Sequence, residues 1–327
     1  MKHIVLIIIA LMLVAGVAFA ESKKDEIDFD KSGAMSIEEL CRESITFELD
    51  IPYADTGNPR HRLDLYLPEN PKSDKLPVIV FFHGGGWFEG DKSDGAGRLM
   101  PFLRTGQYAG ISVSYRLSGE VQWPEQLYDC KAAIRWVRAN AAKYGLDADR
   151  IGVWGVSAGG HLVLMLGVSG DAPELEGDIG PHQDVSSKVA AVVNFFGVSE
   201  LLAIIDEPSE IDRTRSDAPE AMLIGGCLED NPEKAKAASP ITYVTSNDPP
   251  VLTVHGTQDP IVPYDQAVRL DAALRKAGVP DYFVTIRGGG HGDFGTAADD
   301  RVKEFFDKYL CGKNVKISTR PVNKPKS

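Results

Sequence analysis

Six short apolar runs, at residues 78–82, 111–115, 151–155, 189–196, 251–255 and 282–286, recur along the chain between segments of helical periodicity. A continuous apolar run of this length suits a strand buried on both faces, which arises when helices cover both sides of a parallel sheet. Helical patterns fall at 125–144, ending at Gly145, and at 161–166, 266–277 and 297–310. Strands alternating with helices predict an α/β protein with a mostly parallel twisted central sheet and helices on both faces. Ahead of it, residues 45–49 and 63–67 alternate apolar and polar, with Asp55-Thr56-Gly57-Asn58-Pro59 supplying turn chemistry between them, so an antiparallel hairpin is expected. The charged, Gly- and Pro-bearing segments 171–187 and 198–240 read as insertions over the carboxyl edge of the sheet. One domain over 45–312 then accounts for the pattern, and no internal repeat is visible. The composition, 43% apolar and 25% charged over 327 residues, is ordinary for a globular chain.

Gly155-Val156-Ser157-Ala158-Gly159 matches G-x-S-x-G, and it directly follows a buried strand and opens a helix. That context places a serine hydroxyl on a sharp strand-to-helix turn, where flanking glycines remove clashing side chains. His83-Gly84-Gly85-Gly86-Trp87 follows the first buried strand. Glycines there let backbone amides approach a developing oxyanion, so Gly85, Gly86 and Ala158 are the candidate donors. Trp87 is read either as a wall of the acyl pocket or as a packing residue.

A serine needs a base to take its proton. His291, within Gly288-Gly289-Gly290-His291-Gly292 after the last strand, is the candidate. His255 reads as a core histidine, His161 as a structural hydrogen-bonder, His83 as a brace for the glycine loop, and His61 and His182 as surface residues. Asp259 follows the penultimate strand and is the candidate acid; Asp281 competes but precedes its strand, at the wrong end of the sheet. The chain order Ser157, Asp259, His291 is that of the α/β-hydrolase fold.

With these residues in view, the chain resembles the hormone-sensitive-lipase-like esterases, and more closely their bifunctional feruloyl/acetyl carbohydrate-esterase branch. The likeness covers roughly residues 45–310. It rests on residues 63–68, 83–87, 157–161, 238–241, 255–263 and 290–292. The resemblance implies an α/β-hydrolase serine esterase that requires no cofactor and acts on a small-molecule or polysaccharide ester, often an acetyl or feruloyl ester of plant polysaccharide. A small-ester carboxylesterase, an aryl formamidase and a non-catalytic binding module on the same fold are the alternatives. Activity on phenyl esters against anilides discriminates among the catalytic ones.

The termini carry separate signals. A basic start, an apolar run and Ala18-Phe19-Ala20 predict a signal peptide over 1–20, cut after Ala20, with export to the periplasm or beyond and no membrane attachment afterwards. Within the segment 21–44, Asp28, Asp30, Ser32, Gly33, Met35 and Glu39 fit an EF-hand-like loop that would hold Ca²⁺. The competing reading is a helix start capped by Ser36 and Glu39. No other metal site is expected. The tail 313–327 is basic and expected to be loose. Cys41, Cys130, Cys227 and Cys311 form no C-x-x-C pair, and their pairing stays open. A net charge of −12 disfavours nucleic acid as a partner.

Overall fold

The computed structural model describes residues 34–292 and 294–324. Its strands are β1 (Ile45–Pro52), β2 (Arg62–Pro68), β3 (Leu76–Phe82), β4 (Ala109–Val113), β5 (Leu146–Val156), β6 (Ala191–Phe195), β7 (Val251–Gly256), β8 (Asp281–Arg287) and β9 (Val322–Asn323). The helices are α1 (Ile37–Leu40), α2 (Ala96–Leu103), α3 (Glu125–Ala139), α4 (Ala141–Tyr144), α5 (Ala158–Val168), α6 (Pro219–Ile224), α7 (Pro232–Ala237), α8 (Asp265–Ala277) and α9 (Thr296–Tyr309). One sheet runs in the order β1-β2-β4-β3-β5-β6-β7-β8-β9. The expected hairpin is present: β1 pairs antiparallel with β2, and β2 with β4. Every pairing from β4 onward is parallel.

The period-two rule of a strand explains the layers. Val78, Val80 and Phe82 of β3 join the cluster formed with Leu127 and Ile134 of α3, Leu162 and Leu166 of α5, and Leu270 of α8. Ile79 and Phe81 join the opposite cluster, with Leu99 and Phe102 of α2 and Phe305 and Phe306 of α9. All five of these β3 side chains are fully buried. Each such burial contributes about 1.5–3 kcal/mol, so the strands around the functional edge are its most rigid support.

Three departures from the sequence reading have local causes. The helix expected over 125–144 breaks at Asn140, whose side-chain amide donates to the Trp136 carbonyl at 2.9 Å. Such side-chain bonds offer the backbone an alternative to the helical ladder. Helix α2 is not among the expected helices; it carries Pro101 near its end, and Pro101 is buried. Over its described residues, 313–324, the tail is not loose. Lys313 pairs with Asp307 at 2.7 Å, Ile317 is buried in the second cluster, and Val322–Asn323 adds a ninth strand beside β8.

The signal peptide expected over residues 1–20 and the loop residues Asp28, Asp30, Ser32 and Gly33 lie outside the described residues. Within them, Glu39 completes the capping box at the start of α1, accepting from the Ser36 amide at 2.9 Å. The four cysteines are free thiols, and Cys130 is buried in α3. Among the described residues, no helix is long and apolar enough to cross a membrane, and no group of three or more His, Cys, Asp or Glu could hold a metal ion.

Candidate active site

Ser157 stands between β5 and α5 with φ 55° and ψ −120°. A non-glycine residue adopts such a positive φ only when its surroundings over-determine it. Here they do. A Cβ on Gly155 would lie 2.1 Å from the Gly159 carbonyl oxygen, and one on Gly159 would lie 2.1 Å from that of Phe82. Only glycines let β5, α5 and β3 close this tightly. The Ser157 amide donates to the Phe195 carbonyl at 2.9 Å, tying the turn to β6.

Loops from the carboxyl ends of β7 and β8 bring the next two side chains to this turn. His291 Nε2 lies 2.9 Å from Ser157 Oγ, and His291 Nδ1 lies 2.8 Å from Asp259 Oδ2. The other carboxylate oxygen of Asp259 accepts the amides of Ile261 and Val262, both at 2.9 Å. Burial alone would raise the Asp259 pKa. The hydrogen bonds and charge of the two imidazoles facing it, His255 and His291, outweigh burial and hold the carboxyl well below the usual carboxylate range. An ionised Asp259 accepts from Nδ1–H, which leaves Nε2 bare to accept the Ser157 hydroxyl. Asp281 is at the other end of the sheet, opposite Val251 at the start of β7. Its carboxyl is pushed up to about 8 by burial and by Asp271.

The glycine loop forms the facing wall. Gly85 and Gly86 have φ of 96° and 55°, and the amides of Phe88 and Glu89 both donate to the Gly85 carbonyl at 3.0 Å. His83 braces this loop: its Nδ1 donates to the Gly84 carbonyl at 2.8 Å and its ring stacks on Tyr115. Burial lowers the His83 pKa to about 4, so the ring is neutral near pH 7. Trp87 is 2% exposed, and its Nε1–H donates to His161 Nδ1 at 3.2 Å. His161 in turn donates from Nε2 to the Ala238 carbonyl at 2.7 Å. Trp87 therefore packs, and also lines the cavity. That cavity, about 690 Å³, is lined by Ser157, His291, Gly85, Gly86 and Ala158. Apolar walls come from Phe196, Val198 and Val262, and from Ile211 and Pro219 of the 198–240 insertion.

Five features were not legible in the sequence. Phe196 packs its ring 4.4 Å from that of His291, and Phe88 stands 41% exposed at the cavity. His255 lies against the carboxylate of Asp259, at 3.3 Å. His61, expected on the surface, is buried: it bonds Asp129 at 3.0 Å and Thr56 at 2.5 Å, because the buried Asp129 carboxylate needs partners there and also takes Arg116. His182 is half-buried rather than exposed.

Residues 63–274 match the family model BD-FAE. The chain belongs to the BD-FAE family. The match takes in Ser157 and Asp259 of this BD-FAE protein, and His291 lies beyond it. A truncated form of a carbohydrate esterase from gut microbiota is 34% identical, with a TM-score of 0.76 over 81% of this chain and 96% of that one. A bifunctional GH43-CE protein of Bacteroides eggerthii is 36% identical, with a TM-score of 0.74 over 80% of this chain and 38% of that one. Esterase LipC of Mycobacterium tuberculosis is 31% identical over 72% of this chain and 57% of its own length. The BD-FAE chain spans about half the length of the curated relatives it matches. Its sheet order, connections and esterase neighbours are those of the α/β-hydrolase fold.

Proposed function

We propose that this BD-FAE protein is a serine carboxylic-ester hydrolase, exported, and directed to acetyl or feruloyl esters of plant polysaccharide. The hydrogen-bonded row Ser157–His291–Asp259, with both distances under 3 Å, carries the reading. Ser157 Oγ attacks the ester carbonyl as His291 Nε2 takes its proton, and Asp259 steadies the imidazolium. The amides of Gly85, Gly86 and Ala158 receive the oxyanion, each donor being worth about 3 kcal/mol in such sites. His291 returns the proton to the departing alcohol, and water then releases the acid. This chemistry requires no cofactor.

Two observations support a bulky ester. A cavity of about 690 Å³ greatly exceeds what an acetyl group fills. Phe88 exposes its ring at that cavity, directly over Gly86, where a sugar or aromatic ring can stack. The related structure described as a carbohydrate esterase agrees with this choice.

The test incubates the protein and Ser157→Ala with acetylated, feruloylated arabinoxylan and measures free acetate and ferulate, in medium and cell fractions alike. The variant is expected to lose about 10⁶-fold in turnover; activity within tenfold of the parent overturns the nucleophile. Cleavage of para-nitrophenyl acetate without release from the polymer moves the substrate to small soluble esters.

A further inference from the structure

His255 is the last residue but one of β7, and it is completely buried. Its Nε2 faces two oxygens: the Val262 carbonyl at 2.9 Å and Asp259 Oδ2 at 3.3 Å. An atom between two acceptors carries the hydrogen, so Nε2–H donates to the Val262 carbonyl with Asp259 Oδ2 beside it at ion-pair distance, and Nδ1, buried with no partner, is the bare nitrogen. Val262 closes the arrangement, since its amide donates to the other oxygen of the same carboxylate at 2.9 Å. Asp259 Oδ2 is thus shared by two imidazoles, one of which never reaches the cavity. Around the His255 ring lie the edges of Phe196 and Tyr264, the Val262 carbonyl and Asp259, which supplies the charge.

Resting on the serine-hydrolase reading, we propose that His255 is a positioning residue. Its Nε2–H fixes the rotation of the Asp259 carboxylate toward His291 and weakens Oδ2 as an acceptor. The strand supplies the rigidity: His255 sits in the β7 ladder, whereas Asp259 sits on the turn that follows. Without that donor, Asp259 rotates more freely and becomes the stronger acceptor for His291, whose other neighbours are Ser157 and Phe196. The His291 imidazolium is then favoured to higher pH.

The experiment compares His255→Leu, His255→Gln and His255→Asn with the parent on para-nitrophenyl acetate, with melting curves for each. Gln places an amide donor where Nε2 stood, and Asn places one nearer Nδ1. Expected for Leu and Asn are a kcat lower by about 10- to 100-fold, as small misplacements cost, a KM within about twofold, and an acidic limb of kcat/KM moved to higher pH. Gln is expected to restore both the rate and the limb. In an Asp259→Asn background, His255→Leu is expected to cost almost nothing further, because residues acting through one group are not additive. Full additivity there, an unmoved acidic limb, or a Gln variant as impaired as Asn overturns the proposal. If the Leu variant does not fold, the Gln and Asn pair decides alone. An active Ser157→Ala protein would instead refute the underlying reading, so the two failures are distinguishable.

Discussion

Asp259 keeps its charge because three hydrogen-bond donors and a second imidazole 3.3 Å away surround a carboxylate that burial would otherwise neutralise. Replacing it by Asn leaves the shape but puts an acceptor and a donor where two acceptors stood, which favours the wrong His291 tautomer. Asp259→Asn is expected to lower kcat on the order of 10³–10⁴-fold with the melting temperature little changed. A kcat within tenfold of the parent would show that His291 needs no orienting acid. The three polar side chains of this row were readable in the sequence, since each residue type has a fixed place after a strand. His255 and Phe196 were not. A histidine ending an apolar run looks the same whether it faces the core or a carboxylate, and only the curl of the 259–262 turn decides which. Phe196 looks like one more apolar strand residue until its φ of 42° turns the ring onto His291.

At the scale of elements, the sheet was legible because burial on both faces writes a continuous apolar run, and the β3, β5 and β7 runs each have one. Elements decided by local side-chain chemistry or by burial were harder: the break at Asn140 comes from a side-chain bond to the carbonyl four residues earlier, and α2 forms around Pro101 with nearly all of its residues buried. The start of β8 yields a pH prediction. Burial and the neighbouring Asp271 carboxyl push Asp281 up to about 8, against an ordinary value of about 3.9 in the unfolded chain. Between those values the folded chain holds a proton that the unfolded chain has released. Stability is therefore fully present below about pH 4 and declines as pH rises toward 8. Asp281→Asn removes that slope. The variant is expected to melt higher than the parent at pH 8 and at the same temperature near pH 4. Equal melting curves at pH 8 would show that Asp281 is ionised and accommodated in the fold.

Across the whole molecule, the chain returns at its end to the side of the sheet that carries the candidate base. β9 pairs Val322 with Ile286 and Asn323 with Arg287, and the Lys324 amide donates to the Arg287 carbonyl at 2.9 Å. His291 follows only four residues after Arg287, so the tail clamps the strand end from which the base loop departs. The tail also covers an edge: without β9, β8 presents unpaired backbone groups, a template for association. A charge-rich composition gave no hint of this, since a basic segment near a terminus reads as solvated until Ile317 is seen inside the second core cluster. Deleting residues 315–327 is expected to lower the melting temperature and promote aggregation. It is also expected to lower kcat several-fold with KM nearly unchanged, because the loop holding His291 loosens while the cavity walls from the 198–240 insertion stay in place. Melting curves and steady-state kinetics on the truncated protein check this. Unchanged melting would mean that β9 adds no stability. Lower melting with an intact kcat would confine the tail to the fold and leave the placement of His291 to the Asp259 turn and the Phe196 ring.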